Sequence, residues 1–256
     1  MKAKAAEKKE TSWDNVSNWY SKIVSKEGHY YHQNVIVPKA LKLLNMDSTS
    51  SILDLGCGQG FFSNHIPPGA RYLGVDVSHK LVEKARSFSS NVSFAVSDLT
   101  KQVSLNSKDF THAVLLLCLQ NMQNPSVVLA NAARHLKKDG KLLIVLNHPC
   151  FRIPRQSLWG FDEKNKVQYR RINRYMTPLK IPVAIHPGKK EKSEITWSYH
   201  LPLSSYLRLL KDNGFVVELI DEWLSDKKSQ GSKAFIEDRA RLEFPLFMAL
   251  LCKKER

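Results

Sequence analysis

The residues best placed to do chemistry are Asp54-Leu55-Gly56-Cys57-Gly58-Gln59-Gly60, where an apolar run ends in a carboxylate and then three alternate glycines. A glycine turn lets backbone approach a ligand with no Cβ in the way. Twenty residues past Gly56, a second apolar run, Tyr72-Leu73-Gly74-Val75, ends in Asp76. A carboxylate at that strand tip can accept two hydrogen bonds from a ribose diol. The two features together predict a pocket for an adenosine-containing cofactor. A dinucleotide fits poorly, because its pyrophosphate turn reads G-x-G-x-x-G and here Gly60 comes one residue early. Asp54 would also repel a pyrophosphate, whereas a cationic amino-acid tail would tolerate that carboxylate or bind through it.

Alternating elements are needed to hold these groups. After the glycine turn, the string from Phe61 could open a helix. Val92 to Val96 reads as a third strand, followed by Ser97-Asp98-Leu99, and Phe110 to Leu117 reads as a fourth. Ser126 to Leu136 has helical spacing and a stop signal in Lys137-Lys138-Asp139-Gly140. Lys141 to Leu146 is then a fifth buried strand. A helix over Leu203 to Gly214 precedes strands at Val216 to Ile220 and Leu246 to Leu251, with a polar loop from about Ser225 to Phe244. Alternation of strand and helix predicts a parallel sheet covered on both faces.

Asp54 to Gly60 matches, position by position, the D-x-G-x-G-x-G first motif of the class I S-adenosylmethionine-dependent methyltransferases. The chain resembles that family from about residue 50 to 215, and within it the type 11, quinone-methyltransferase-like group. The resemblance implies an α/β, Rossmann-like, seven-stranded and mostly parallel sheet with helices on both faces and the last strand antiparallel. It implies S-adenosyl-L-methionine as cofactor, held by Asp54, Gly56, Cys57, Gly58, Gly60, Asp76, Val77, Ser97, Asp98, Leu99 and Leu117. Asp76 takes the ribose by position and Asp98 lies beside the adenine amino group. The family lines the methionine end of the cofactor with backbone where Leu117 to Met122 stand.

The organisation expected is a disordered basic tail (1–10), an N-terminal helical cap (11–48) and the methyltransferase domain (49–256). A basic, aromatic substrate lid is inserted at about 148–200. The formal net charge is +15, and between Phe151 and Ser193 eleven Lys and Arg face three acidic residues. Basic residues among aromatics suit a phosphate-bearing or single-stranded RNA ligand, or simply a solvated lid. Arg170 and Arg174 are four apart, so on a helix they would share a face and fork onto one carboxylate or phosphate. Upstream, Tyr31 and His32 are candidate substrate contacts, as is Tyr199. Trp13 and Trp19 are expected to pack the first helix onto the sheet.

An already activated methyl group needs alignment first, and a base only for a protonated acceptor. His148 after the fifth strand and His200 before the next helix are the base candidates, with Tyr20 a further catalytic candidate. In relatives an aromatic and His-Arg-Pro stand near Tyr199-His200-Leu201-Pro202, and here Leu201 replaces the arginine. Cys57, Cys118, Cys150 and Cys252 form no C-x-x-C pair, which points to a reduced cytosol and a cytoplasmic protein, and no metal site is expected. No apolar run reaches membrane-spanning length and the N-terminus carries no secretory signal. Asn147-His148-Pro149-Cys150 looks a little like the N-P-P-Y element of amide and base methyltransferases, but it follows the fifth strand rather than the fourth. The reading is a methyltransferase for a small-molecule or lipid-like acceptor. The alternatives are an RNA methyltransferase using the basic insertion and a non-catalytic, cofactor-binding partner subunit.

Overall fold

The computed structural model describes residues 11–24, 28–88, 92–184 and 193–255. The expected tail at 1–10 lies outside them, as do Lys189, Lys190, Glu191 and Lys192 of the basic insertion. Seven strands form one sheet: β1 (Ser51–Leu55), β2 (Arg71–Asp76), β3 (Ser93–Val96), β4 (Phe110–Leu116), β5 (Leu136–Asn147), β10 (Phe215–Trp223) and β11 (Phe247–Lys254). Their order is β10-β11-β5-β4-β1-β2-β3. The pairs among β1 to β5 are parallel, and β11 runs antiparallel to both β5 and β10.

Strand alternation divides the apolar residues between two cores. Leu53, Leu55, Ala113, Leu115, Leu142 and Ile144 face α4 (Pro125–His135) and α5 (Leu203–Asp212) on one side. Ile52, Val114, Leu116, Leu143 and Val145 face α2 (Val37–Leu44) and α3 (His79–Phe88) on the other. Strands buried on both faces read as continuous apolar runs for this reason. The segment 11–48 supplies α1 (Ser12–Val24), which Thr11 and Asp14 open reciprocally: the Asp14 amide donates to Thr11 Oγ1, and the Thr11 amide to Asp14 Oδ2.

Three local expectations are corrected. The glycine turn opens no long helix: a 3-10 turn over Phe61–His65 ends at Ile66, whose extended backbone suits the two prolines that follow. Lys137 to Gly140 does not close a helix. The helix stops at His135 and these residues lie in β5, where the register with β4 shifts between Phe110 and His112. The polar stretch after β10 contains α6 (Ala234–Glu243).

The insertion folds as two hairpins, β6 (Ser157–Asp162) with β7 (Val167–Ile172) and β8 (Leu179–Ala184) with β9 (Ile195–His200). Arg170 and Arg174 therefore share no helical face. Arg170 lies in β7, donating to the Phe151 carbonyl (2.9 Å) and Ser157 Oγ (2.9 Å) and stacking 4.9 Å from the Trp159 ring. Arg174 is exposed in the following turn with φ 53°. Asp162 turns the hairpin by accepting from the amides of Lys164 and Asn165, both at 3.0 Å.

Two features of the β1–β2 pair give measurable consequences. An added Cβ at Gly74 would lie 2.7 Å from the Phe94 ring and 2.9 Å from Cys57 Sγ, all buried. Gly74→Ala should cost about 1–3 kcal/mol in denaturant unfolding, the range for overpacking. Asp54, 2% exposed, accepts a 2.6 Å hydrogen bond from the Tyr72 hydroxyl. Burial pushes its carboxyl up to about 7, against the pull of that bond and with a further push from Asp76. The unfolded carboxyl ionises near 3.8 while the folded one holds its proton, so this group's contribution is full below about pH 4 and lost as pH rises through about 7. Asp54→Asn should therefore gain stability relative to wild type over that window. Unfolding midpoints at pH 5 and pH 8 check it, and a constant difference would contradict the buried, protonated assignment.

Candidate functional site

The carboxyl ends of β1, β2 and β4 open into a cavity of about 320 Å³. Gly56, Gly58 and Gly60 all have positive φ (82°, 57° and 79°), which only glycine adopts without strain. Their surroundings differ. A Cβ at Gly56 would meet the Cys118 side chain at 2.8 Å, and one at Gly60 would meet the Phe94 ring at 2.8 Å. A Cβ at Gly58 would find only the Tyr20 ring, at 3.5 Å. Gly58 is thus the position whose bareness serves the cavity, while Gly56 and Gly60 permit close packing.

The turn is pinned to β2. The amides of Gly56 and Cys57 both donate to the Val75 carbonyl, and the Gly58 amide donates to Asp76 Oδ2 at 2.9 Å. Asp76 Oδ1 accepts the Ser78 amide at 2.9 Å, and Ser78 Oγ donates to Asp14 Oδ1 at 2.7 Å, which anchors α1 beside the cavity. Burial raises the Asp76 carboxyl above its ordinary value, while the Ser78 and Gly58 amides pull it back down.

Opposite, the tip of β4 is strained. Leu117 has φ 56°, unusual for a residue with a side chain, and its amide is held by the Val145 carbonyl at 2.8 Å. Its carbonyl accepts from Gln120 Nε2 and Asn121 Nδ2. Asp98 is turned by Thr100, whose hydroxyl and amide donate to Oδ1 at 2.6 and 3.0 Å. These bonds hold its carboxyl below the usual range, despite partial burial.

Of the residues expected at the cofactor, Gly56, Gly58, Asp76, Val77, Ser97, Asp98, Leu99 and Leu117 line this one cavity. Asp54, Cys57 and Gly60 do not: Asp54 faces Tyr72 within the sheet. Tyr20 lines the cavity, and burial together with Asp76 raises its phenol. His32 lines it too, stacked 4.3 Å from the Phe61 ring, with Nδ1 accepting the His29 amide and its basicity pushed down to about 4 by burial.

The remaining candidates lie elsewhere. His148, 1% exposed, pairs through Nε2 with Glu222 at 2.7 Å and does not line the cavity, although its neighbour Asn147 does. His200 bonds the Tyr175 carbonyl and, with Tyr199, lines a different cavity. Tyr31 bonds Ser225 and meets Phe247 edge-on. Arg170 is occupied within its hairpin. Trp13, read as packing, instead lines the same cavity with its ring 5.8 Å from Tyr20, and Leu81 and Asn147 were not foreseen. The Thr11-x-x-Asp14 capping signal places α1, but nothing in the sequence tells which face of α1 meets the glycine turn. Among the described residues no group of three His, Cys, Asp or Glu side chains could hold a metal ion, and no helix is long and apolar enough to cross a membrane.

Comparison with known proteins agrees with this geometry. Residues 53–144 match a family model described as a methyltransferase domain. The chain is 29% identical over 113 residues to a demethylmenaquinone methyltransferase of Tropheryma whipplei, covering 43% of this chain and 47% of that protein. It thus spans about half the length of that curated relative. A malonyl-[acyl-carrier protein] O-methyltransferase of Halalkalibacterium halodurans is 25% identical over 249 residues, covering 86% of this chain and 90% of its own. The crystal structure of an S-adenosylmethionine dependent methyltransferase from Mesorhizobium loti superposes with TM-score 0.64 at 22% identity, covering 84% of this chain and 96% of that one. With the motif, the strand order and the cavity in agreement, the chain carries a methyltransferase domain over residues 53–144 and shares the fold of the S-adenosylmethionine-dependent methyltransferases.

Proposed function

We propose that this protein transfers a methyl group from S-adenosyl-L-methionine to a small-molecule or lipid-like acceptor. The observation that carries the reading is Asp76, a buried carboxylate fixed by the Gly58 and Ser78 amides on the cavity wall, with lone pairs left for a ribose diol. Asp98 and Leu99 would take the adenine edge. The backbone of Gly56 and Gly58, with Leu117 and Cys118 opposite, would take the methionine end. When bound, S-adenosyl-L-methionine supplies an electrophilic sulfonium methyl.

The chain's own work is to align the acceptor, exclude water and manage any proton. Two neutral polar groups reach the cavity from the N-terminal segment. Because His32 Nδ1 accepts the His29 amide, its neutral ring carries the proton on Nε2 and acts as a donor. Tyr20 stays a phenol, also a donor. Both can orient an acceptor oxygen, and neither is set to remove a proton at neutral pH. The reading therefore has an acceptor that attacks through a lone pair it already carries or that loses its proton to solvent. His148 and His200 take no part in it, since His148 is paired with Glu222 and His200 lines another cavity. The acceptor in one relative's name, demethylmenaquinone, favours a lipid-like molecule. Occupation of Arg170 by its own hairpin weighs against an RNA-gripping arginine pair.

Asp76→Ala should weaken S-adenosyl-L-methionine binding by about 1.5–3 kcal/mol, the range for lost hydrogen bonds to a charged group. Calorimetric titration of the folded variant measures it, and unchanged affinity would remove the ribose assignment. Incubation with methyl-labelled cofactor and a cell extract should place label in the solvent-extractable small-molecule fraction. Label confined to RNA would overturn the acceptor class.

A further inference from the structure

A second cavity opens beside the first. Gln120, Asn121 and Met122 line the cofactor cavity, and the next four residues, Gln123 to Ser126, line a cavity of about 640 Å³. Its other walls are the β8–β9 hairpin and α5. The volume falls within the range of small-molecule sites.

Two side chains here, His200 and Tyr206, are 5% and 4% exposed. His200 Nε2 lies 2.7 Å from the Tyr175 carbonyl, which can only accept, so Nε2 carries the proton. Burial lowers the ring's basicity, leaving it neutral with a lone pair on Nδ1. Among the described residues neither His200 Nδ1 nor the Tyr206 hydroxyl has a hydrogen-bond partner. Burial raises the Tyr206 phenol, which remains a donor. Neither atom is among the described polar atoms sealed from solvent without a partner, so both open onto the cavity and are free to bond a ligand there.

Charge narrows the choice. Lys180 and Arg208 line the same cavity, and no Asp or Glu among the described residues does. Arg208 is exposed and has no acidic partner among the described residues, and Lys180 Nζ sits 4.3 Å from the centre of the Trp197 ring. The site thus offers two cations and a phenol to an oxyanion, and one imidazole lone pair to a hydroxyl.

We propose that this second cavity is a binding site for a small hydroxylated organic anion, distinct from the cofactor site. The oxyanion meets Arg208, Lys180 and the Tyr206 hydroxyl, and the ligand's own hydroxyl donates to His200 Nδ1. The proposal does not rest on methyl transfer, because binding is read without cofactor or acceptor.

Calorimetric titration of the whole chain with L-malate, and with succinate as the analogue lacking the hydroxyl, tests it. Malate should bind saturably, and succinate about tenfold or more weaker, the ratio for one lost hydrogen bond of this kind. Arg208→Gln, on the surface, and Tyr206→Phe, which keeps the ring, should each weaken malate by a similar factor while S-adenosyl-L-methionine affinity stays at the wild-type value. The proposal is overturned by absent malate binding, by equal binding of succinate, or by malate affinity that both substitutions leave intact.

Discussion

The Asp76 carboxylate is the constraint on which the cofactor cavity depends. One oxygen takes the amide of the glycine turn and the other takes the amide that begins the path into α3. Ser78 passes the connection to Asp14, and Asp14 shares a capping box with Thr11. Four separate segments, the β1 turn, the β2 tip, the start of α3 and the N-terminal helix, are thereby held by a single string of hydrogen bonds. Because the string is buried, each member left unpaired would be costly, so the parts are set together rather than one by one.

Burying this carboxylate also shapes the chemistry around it. The Asp76 carboxylate helps raise Asp54, and the sheet answers the two groups differently. Asp76 is stabilised by amides, whereas Asp54 has one phenol, whose donated bond lowers its carboxyl less than deep burial raises it, so the proton stays on up to about 7. The result is a cavity edged by two carboxylates, Asp76 and Asp98, and by neutral donors. Such a wall suits a ligand that brings its own positive charge on sulfur and nitrogen, and it does not compete for protons during transfer.

The sheet itself was legible because strands buried on both faces leave long apolar runs, and β1, β2, β4, β5 and β11 all show them. Failures came where a local signal met a stronger neighbour. Phe61 follows a glycine turn and could begin a helix, but Pro67 and Pro68 stop it after one turn. Lys137-Lys138-Asp139-Gly140 carries every mark of a helix end, yet β4 pairs with Leu136 before it and Lys141 after it, leaving these four residues in a register shift within β5. Arg170 and Arg174 look like a helical pair by spacing alone. The alternation of Val167 to Ile172 and the register with Ser157 to Asp162 instead put Arg170 on Trp159 and leave Arg174 in a turn.

The division for the site follows the same physics. Local chemistry brought Gly58 and Asp76 to one cavity, since a bare backbone at a strand end and a carboxylate at the next strand's tip become neighbours by chain spacing alone. It also placed Asp98 and Leu117, which sit at the ends of recognisable strands. Tertiary structure alone decided which histidine meets the cavity. His32 reaches it because α1 and the turn before α2 fold over the sheet, while His148, one residue beyond the cavity-lining Asn147, is drawn to Glu222 on β10. A histidine's role depends on the partner that takes its first nitrogen. That partner comes from a distant part of the chain, so no reading of adjacent residues can name it.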